Sequence, residues 1–202
     1  MNKLSLIKLV VVAFIFTVGL IAFLFLPKSE VQSANNLAVS EKEDEDLLNI
    51  KNYKKWTKVN DKPEIMFSRV ARQCAAPTQA QMDRESKNPH NNKYINVYVN
   101  SIGKFEMMTK KSPKFPQGTI IVKEKLSTSD STSPELLTVM IKREKGFNPE
   151  NGDWEYMTVN GQLTEVTAKG KLENCQACHA LEKSGDYVSR NYLPYNIRQK
   201  LK

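Results

Sequence analysis

Hydrophobic and polar positions divide the 202-residue chain into three stretches. Residues 9–26, LVVVAFIFTVGLIAFLFL, form an uncharged run broken only by Thr17 and Gly19. A helix of that length rises roughly 27 Å, close to the hydrocarbon thickness of a bilayer. Residues 28–45 are polar and run into the acidic cluster between Glu41 and Asp46, the composition of a disordered tether. From residue 46 to 202 the pattern becomes that of a folded domain, long enough to bury a core of its own.

Within that domain, strand signals dominate. YINVYVN (94–100), GTIIVKEKL (118–126), LLTVMIKRE (136–144) and WEYMTVN (154–160) are rich in β-branched and aromatic residues and bounded by Gly, Asn or Pro. The turn dipeptides Asn151-Gly152 and Asn160-Gly161 flank the last run and favour antiparallel hairpins. Helical signals are fewer. EDEDLLNIKNYKKWTKV predicts a short helix with Leu47, Leu48, Tyr53 and Trp56 inward, and TQAQMDRES predicts another with Thr78 as N-cap. The expected class is α+β: an antiparallel β-sheet with peripheral helices, in a single domain behind the N-terminal segment.

Charge adds a direction. Lys3 and Lys8 precede the apolar run, which keeps the N-terminus cytoplasmic and sends the rest across the membrane. Two readings fit residues 1–27: a retained signal anchor, or a signal peptide cleaved near VQS or QSA at 31–34. Both predict export to the periplasmic side of the cytoplasmic membrane. The formal charge is +8, about +6 without Lys3 and Lys8, and no basic helix or basic–aromatic alternation supports nucleic-acid binding.

The densest chemistry lies in KLENCQACHALEKSGDYV, residues 171–188. In Cys-x-x-Cys-His, the thiols of Cys175 and Cys178 can add to the vinyl groups of a haem, with His179 then beneath the iron as its ligand. Haem c is attached outside the cytoplasm, where the N-terminus directs this chain. Three other readings compete. A structural zinc would need Cys74 and His90 besides Cys175 and Cys178, with ligands about a hundred residues apart. A redox Cys-x-x-Cys would lie after a strand in a βαβ setting, and a plain disulfide would need neither. Cys74 otherwise reads as a small buried residue. Only 23 residues follow His179, so the opposite wall of the haem pocket must come from the β-rich chain before it. Met66, Met82, Met107, Met108, Met140, Met157 and His90 all precede the motif and remain candidate sixth ligands.

Taken together, KNYKKWTKV (51–59), VYVN (97–100), FPQGTIIVKEKL (115–126), KGFNPENGDWEY (145–156), CQACH and DYV (186–188) resemble the cytochrome P-460 family in order and spacing. The resemblance implies an exported protein with one covalently attached haem c, an antiparallel β-sheet fold, and often a homodimer. It implies a five-coordinate iron ligated by His179 and open to hydroxylamine or nitric oxide; oxidation of such a ligand would require an external electron acceptor, and another cytochrome is the expected one. In P-460 members a strand lysine is joined to the haem edge; that lysine falls on Lys123. Alternation puts Thr119, Ile121, Lys123 and Lys125 on one face of the strand and Ile120, Val122 and Glu124 on the other. Hydroxylamine-oxidising members also use a carboxylate as general base. That position falls near Thr138 here, leaving Glu144 as the nearest acid on the same strand. The related c′-beta cytochromes, which bind nitric oxide without the lysine link, and a plain electron-transfer cytochrome are the alternatives.

Overall fold

The computed structural model describes residues 45–66, 78–86 and 93–201. The apolar run, most of the tether, Cys74 and His90 lie outside them. Among the described residues no helix is long and apolar enough to cross a membrane.

Leu47–Lys202 forms a compact unit built on a seven-stranded antiparallel sheet. Its strands are β1 (Thr57–Lys58), β2 (Glu64–Met66), β3 (Lys93–Val99), β4 (Ile120–Leu126), β5 (Leu136–Lys142), β6 (Trp154–Asn160) and β7 (Val166–Gly170). From β3 to β7 each strand pairs with the next, while β1 and β2 share the outer edge of β3. The helices are α1 (residues 45–50), α2 (Gln79–Ser86), α3 (Ser101–Thr109), α4 (Glu173–His179) and α5 (Tyr195–Lys200).

The sheet is apolar on both faces, and the period-two alternation of β4 sorts its residues between two cores. Ile121 joins Ile95, Val97, Val99, Met140, Trp154 and Tyr156 on the face that α4 and the C-terminal segment cover. Ile120 and Val122 join Leu137, Val139, Ile141, Met157 and Val159 on the face that α1 and Tyr53 cover. The second core also holds a buried carboxylate. Glu124 accepts hydrogen bonds from the Tyr53 hydroxyl at 2.5 Å and from Asn96 Nδ2 at 3.1 Å. Asn60 ties the same region to β3, donating to the Ile95 carbonyl at 3.0 Å and accepting from the Val97 amide at 2.9 Å.

The four expected strands are present, and so is the antiparallel order. Three details differ from the sequence reading. The N-terminal helix stops at Ile50 and gives way to a 3-10 turn at Tyr53–Lys55; Leu47, Ile50 and Tyr53 are buried, whereas Leu48 is 57% exposed. The strand expected over 136–144 ends at Lys142: Arg143 still donates its amide to the Asp153 carbonyl in register, but Asp153, at a left-handed φ of 58°, gives its own amide to the Asn148 carbonyl instead of to β5. Helix α3 is an addition to the expected elements. Asn100 caps it by accepting from the Gly103 amide at 3.2 Å. Gly103 lets it lie close to the sheet, since a Cβ there would sit 2.3 Å from Thr119 Cγ2.

Candidate functional site

Helix α4 carries the Cys-x-x-Cys-His motif. Helical spacing places Cys175, Cys178 and His179 within one turn, with Cys175 and His179 one above the other. Both cysteines are free thiols, Cys175 half-buried against the first core and Cys178 exposed. The short helix is held from outside. Gln176, between the cysteines, accepts from the side-chain amides of Asn148 and Asn151 and donates to the Lys171 carbonyl at 2.8 Å. Asn148 also donates to the Trp154 carbonyl at 2.9 Å, which links the helix to β6.

His179 is oriented through its other nitrogen. Its Nδ1 lies 2.7 Å from the Tyr187 carbonyl, and a carbonyl can only accept, so Nδ1 bears the hydrogen and Nε2 keeps its lone pair. Burial lowers the imidazole pKa to about 4, against the opposing hydrogen bond that it donates to the Tyr187 carbonyl, so the ring is neutral at ordinary pH. The Tyr156 ring packs beside it with centroids 5.3 Å apart.

The carbonyl of Tyr187 is aimed by a fixed loop. Asp186 and Tyr187 both adopt left-handed backbone, with φ of 55° and 65°, a conformation costly outside glycine and kept only where the surroundings enforce it. The Asp186 carboxylate accepts from the Phe115 amide at 2.8 Å and from Lys142 Nζ at 2.7 Å, and its carbonyl accepts from Trp154 Nε1 at 2.8 Å. The Tyr187 hydroxyl donates to the Glu150 carbonyl at 2.7 Å.

A cavity of about 400 Å³ opens beside this histidine. His179 and Cys178 form one part of its wall, Lys123 and Ile95 the sheet floor, and Glu64 and Met66 the β2 edge. Glu182 and Tyr192 also line it. Desolvation lowers the pKa of the Lys123 amine, partly offset by the nearby thiols of Cys175 and Cys178. The site thus brings together four of the five residues that the sequence points to. The fifth stands apart: Glu144 lies beyond the end of β5, exposed, and is not among the residues that line the cavity. Thr138 stands directly across from Lys123 in the β4–β5 register, on the same face.

The cytochrome P460 family model matches residues 50–190. The chain belongs to the cytochrome P460 family. No curated protein matches it. Members of the cytochrome P460 family are haem c cytochromes, and the residues present fit that group. Two free thiols and a neutral, oriented imidazole lie within one helical turn, and Cys178 and His179 face the cavity. The Tyr156 hydroxyl and Lys125 Nζ, both from the core that faces α4, are buried without a protein partner, as groups facing a bound cofactor would be. The family match spans the pieces that build this P460 site: β3, β4, the 145–156 turn, α4 and the Asp186–Tyr187 loop. Gln176, Asn148 and Tyr187 lie within the stretches that carry the family resemblance, but their positioning roles are not legible there, because those roles rest on hydrogen bonds that only the fold brings together.

Proposed function

We propose that this domain is an exported mono-haem c-type cytochrome that binds hydroxylamine or nitric oxide and oxidises it, passing electrons to a partner cytochrome. The observation that carries this reading is the cavity shared by His179, Cys178 and Lys123. When bound, the haem supplies a one-electron redox couple and an iron position open to a small nitrogen ligand. The chain supplies the rest. Cys175 and Cys178 are the attachment thiols, and His179 Nε2 is the ligand atom. The amine of Lys123, whose pKa desolvation lowers, is the group for a covalent link to the haem edge. Glu64 and Glu182 present the carboxylates available at the cavity to take protons from the substrate. Lys3, Lys8 and the run 9–26 support export and tethering on the periplasmic side.

A second reading has an observation of its own. Met66 lines the same cavity as His179, so a Met66–His179 ligand pair would give a closed, electron-transfer cytochrome. A third, a gas-binding protein without turnover, needs the same cavity and no lysine link.

The absorption spectrum of protein matured in a haem-attaching host separates the three. A strongly red-displaced band that reverts to an ordinary one in Lys123→Ala supports the linked, oxidising form. An ordinary spectrum that responds to nitric oxide leaves gas binding. A low-spin spectrum with no response to nitric oxide, converted to a responsive one by Met66→Ala, establishes the closed form. Wild-type protein that carries zinc and no covalent haem would sink every cytochrome reading.

A further inference from the structure

Lys125 is not among the residues that line the cavity, yet it is one of the most deeply buried side chains of the domain. Its relative exposure is 1%, and Nζ has no hydrogen-bond partner. It leaves β4 on the same face as Lys123, the face that α4 covers. The ionisable groups it feels there are Lys123 from its own strand, Cys175 from α4 and Lys93 from β3. Two of these are cations, and Lys93 is already paired with Glu135. The neighbouring carboxylate in sequence, Glu124, points to the opposite face, where Tyr53 and Asn96 engage it.

A buried ammonium without an anion is costly, and an apolar side chain of the same length would fill the space without that cost. Burial accordingly lowers the Lys125 pKa to about 7. The chain nevertheless keeps a lysine there, on the face of β4 that α4 covers. What is missing is a carboxylate: among the described residues none engages this amine. Haem brings two.

We propose that Lys125 forms a carboxylate-binding subsite of the haem pocket, its ammonium donating to a haem propionate. The inference rests on the haem reading above and adds to it a residue that holds the haem's acidic edge and tunes its potential. A neutralised propionate favours the reduced iron, and loss of the cation favours the oxidised one.

The test uses the matured holoprotein of wild type, Lys125→Met and Lys125→Arg. Haem content is read as the pyridine haemochrome, the midpoint potential by spectroelectrochemistry, and the propionate bending band by resonance Raman. At a fixed poise, Lys125→Met is expected to shift the oxidised-to-reduced ratio about tenfold toward oxidised, about 59 mV for a one-electron couple. Its propionate band should move as well. Lys125→Arg should keep a potential close to wild type while its band moves with the new donor. A Met variant identical to wild type in potential and band overturns the proposal, as does an Arg variant that falls with Met. A potential that instead depends on added phosphate or chloride, with an unmoved band, identifies a free anion and also overturns it. Should Lys125→Met fail to mature, the band of Lys125→Arg decides alone: an unmoved band counts against the subsite. Wild type without covalent haem brings down the cytochrome reading itself, a result separate from any of these.

Discussion

The backbone carbonyl of Tyr187 lies 2.7 Å from Nδ1 of His179, and a left-handed φ of 65° at Tyr187 accompanies that placement. Gly152 makes room for it: a Cβ there would sit 2.7 Å from Tyr187 Cδ2, in a residue whose own φ is 65°. Gly152→Ala should therefore push the Tyr187 ring aside and loosen the hold on His179. The expected cost is about 1–3 kcal/mol of stability, measured by denaturant unfolding. The iron–histidine stretch of the ferrous protein should weaken alongside. Tyr187→Phe loses only the bond to the Glu150 carbonyl and should cost about 1 kcal/mol.

If hydroxylamine is oxidised here, the base should be a carboxylate of the cavity. Glu64→Gln and Glu182→Gln, measured for hydroxylamine-dependent reduction of an added cytochrome, should identify it through a loss of about 100-fold or more in one of them. Glu144→Gln should change the rate less than about twofold, as a base must lie within hydrogen-bond reach of its proton. A large loss on Glu144→Gln alone would assign the base to the exposed turn instead.

Thr138 faces Lys123 across the β4–β5 ladder. Thr138→Glu would set a carboxylate against that amine and favour its charged form. The expected result is a weaker lysine link, seen as partial loss of any red-displaced band. An unchanged band would show that the link forms whatever the charge opposite it.

On the far side of the same strand, Glu124 serves stability. Glu124→Leu leaves the Tyr53 hydroxyl and the Asn96 amide without their acceptor inside the second core. A loss of about 2–4 kcal/mol is expected by denaturant unfolding, with haem content unchanged. A neutral result would mean that apolar packing alone holds β4 in place.

The same network sets an alkaline limit. Burial, with Glu124 nearby, raises the Tyr98 pKa to about 12 from 10. A raised folded pKa means that the unfolded chain loses this proton first. The stabilisation is therefore complete below pH 10 and is lost as pH rises toward 12. Thermal unfolding across that window should show Tyr98→Phe losing less stability than wild type; parallel curves would place the tyrosine proton outside the folding equilibrium.

The attachment motif is legible in sequence because it is local. Cys175, Cys178 and His179 need only one helical turn to share a site, so their spacing carries their chemistry. Alternation along β4 is local in the same sense, and period two alone puts Lys123 and Lys125 on one face. The antiparallel pairing around β6 follows from the Asn-Gly turns that flank it, whereas the placing of β1 and β2 on one edge of β3 does not. Other features depend on partners far along the chain. Glu144 reads as a strand residue because no nearby signal marks where β5 stops; it ends because Asp153 on the partner side turns left-handed and gives its amide to Asn148. Leu48 reads as inward because an amphipathic stripe does not show where its helix ends. The imidazole orientation depends on a carbonyl eight residues on, fixed by Phe115, Lys142 and Trp154. Lys125 reads as an ordinary strand lysine until the packed face shows a cation with no anion. Spacing of at most one turn sets which groups can act together, while desolvation and hydrogen-bond partners arise only when distant segments exclude water from between them.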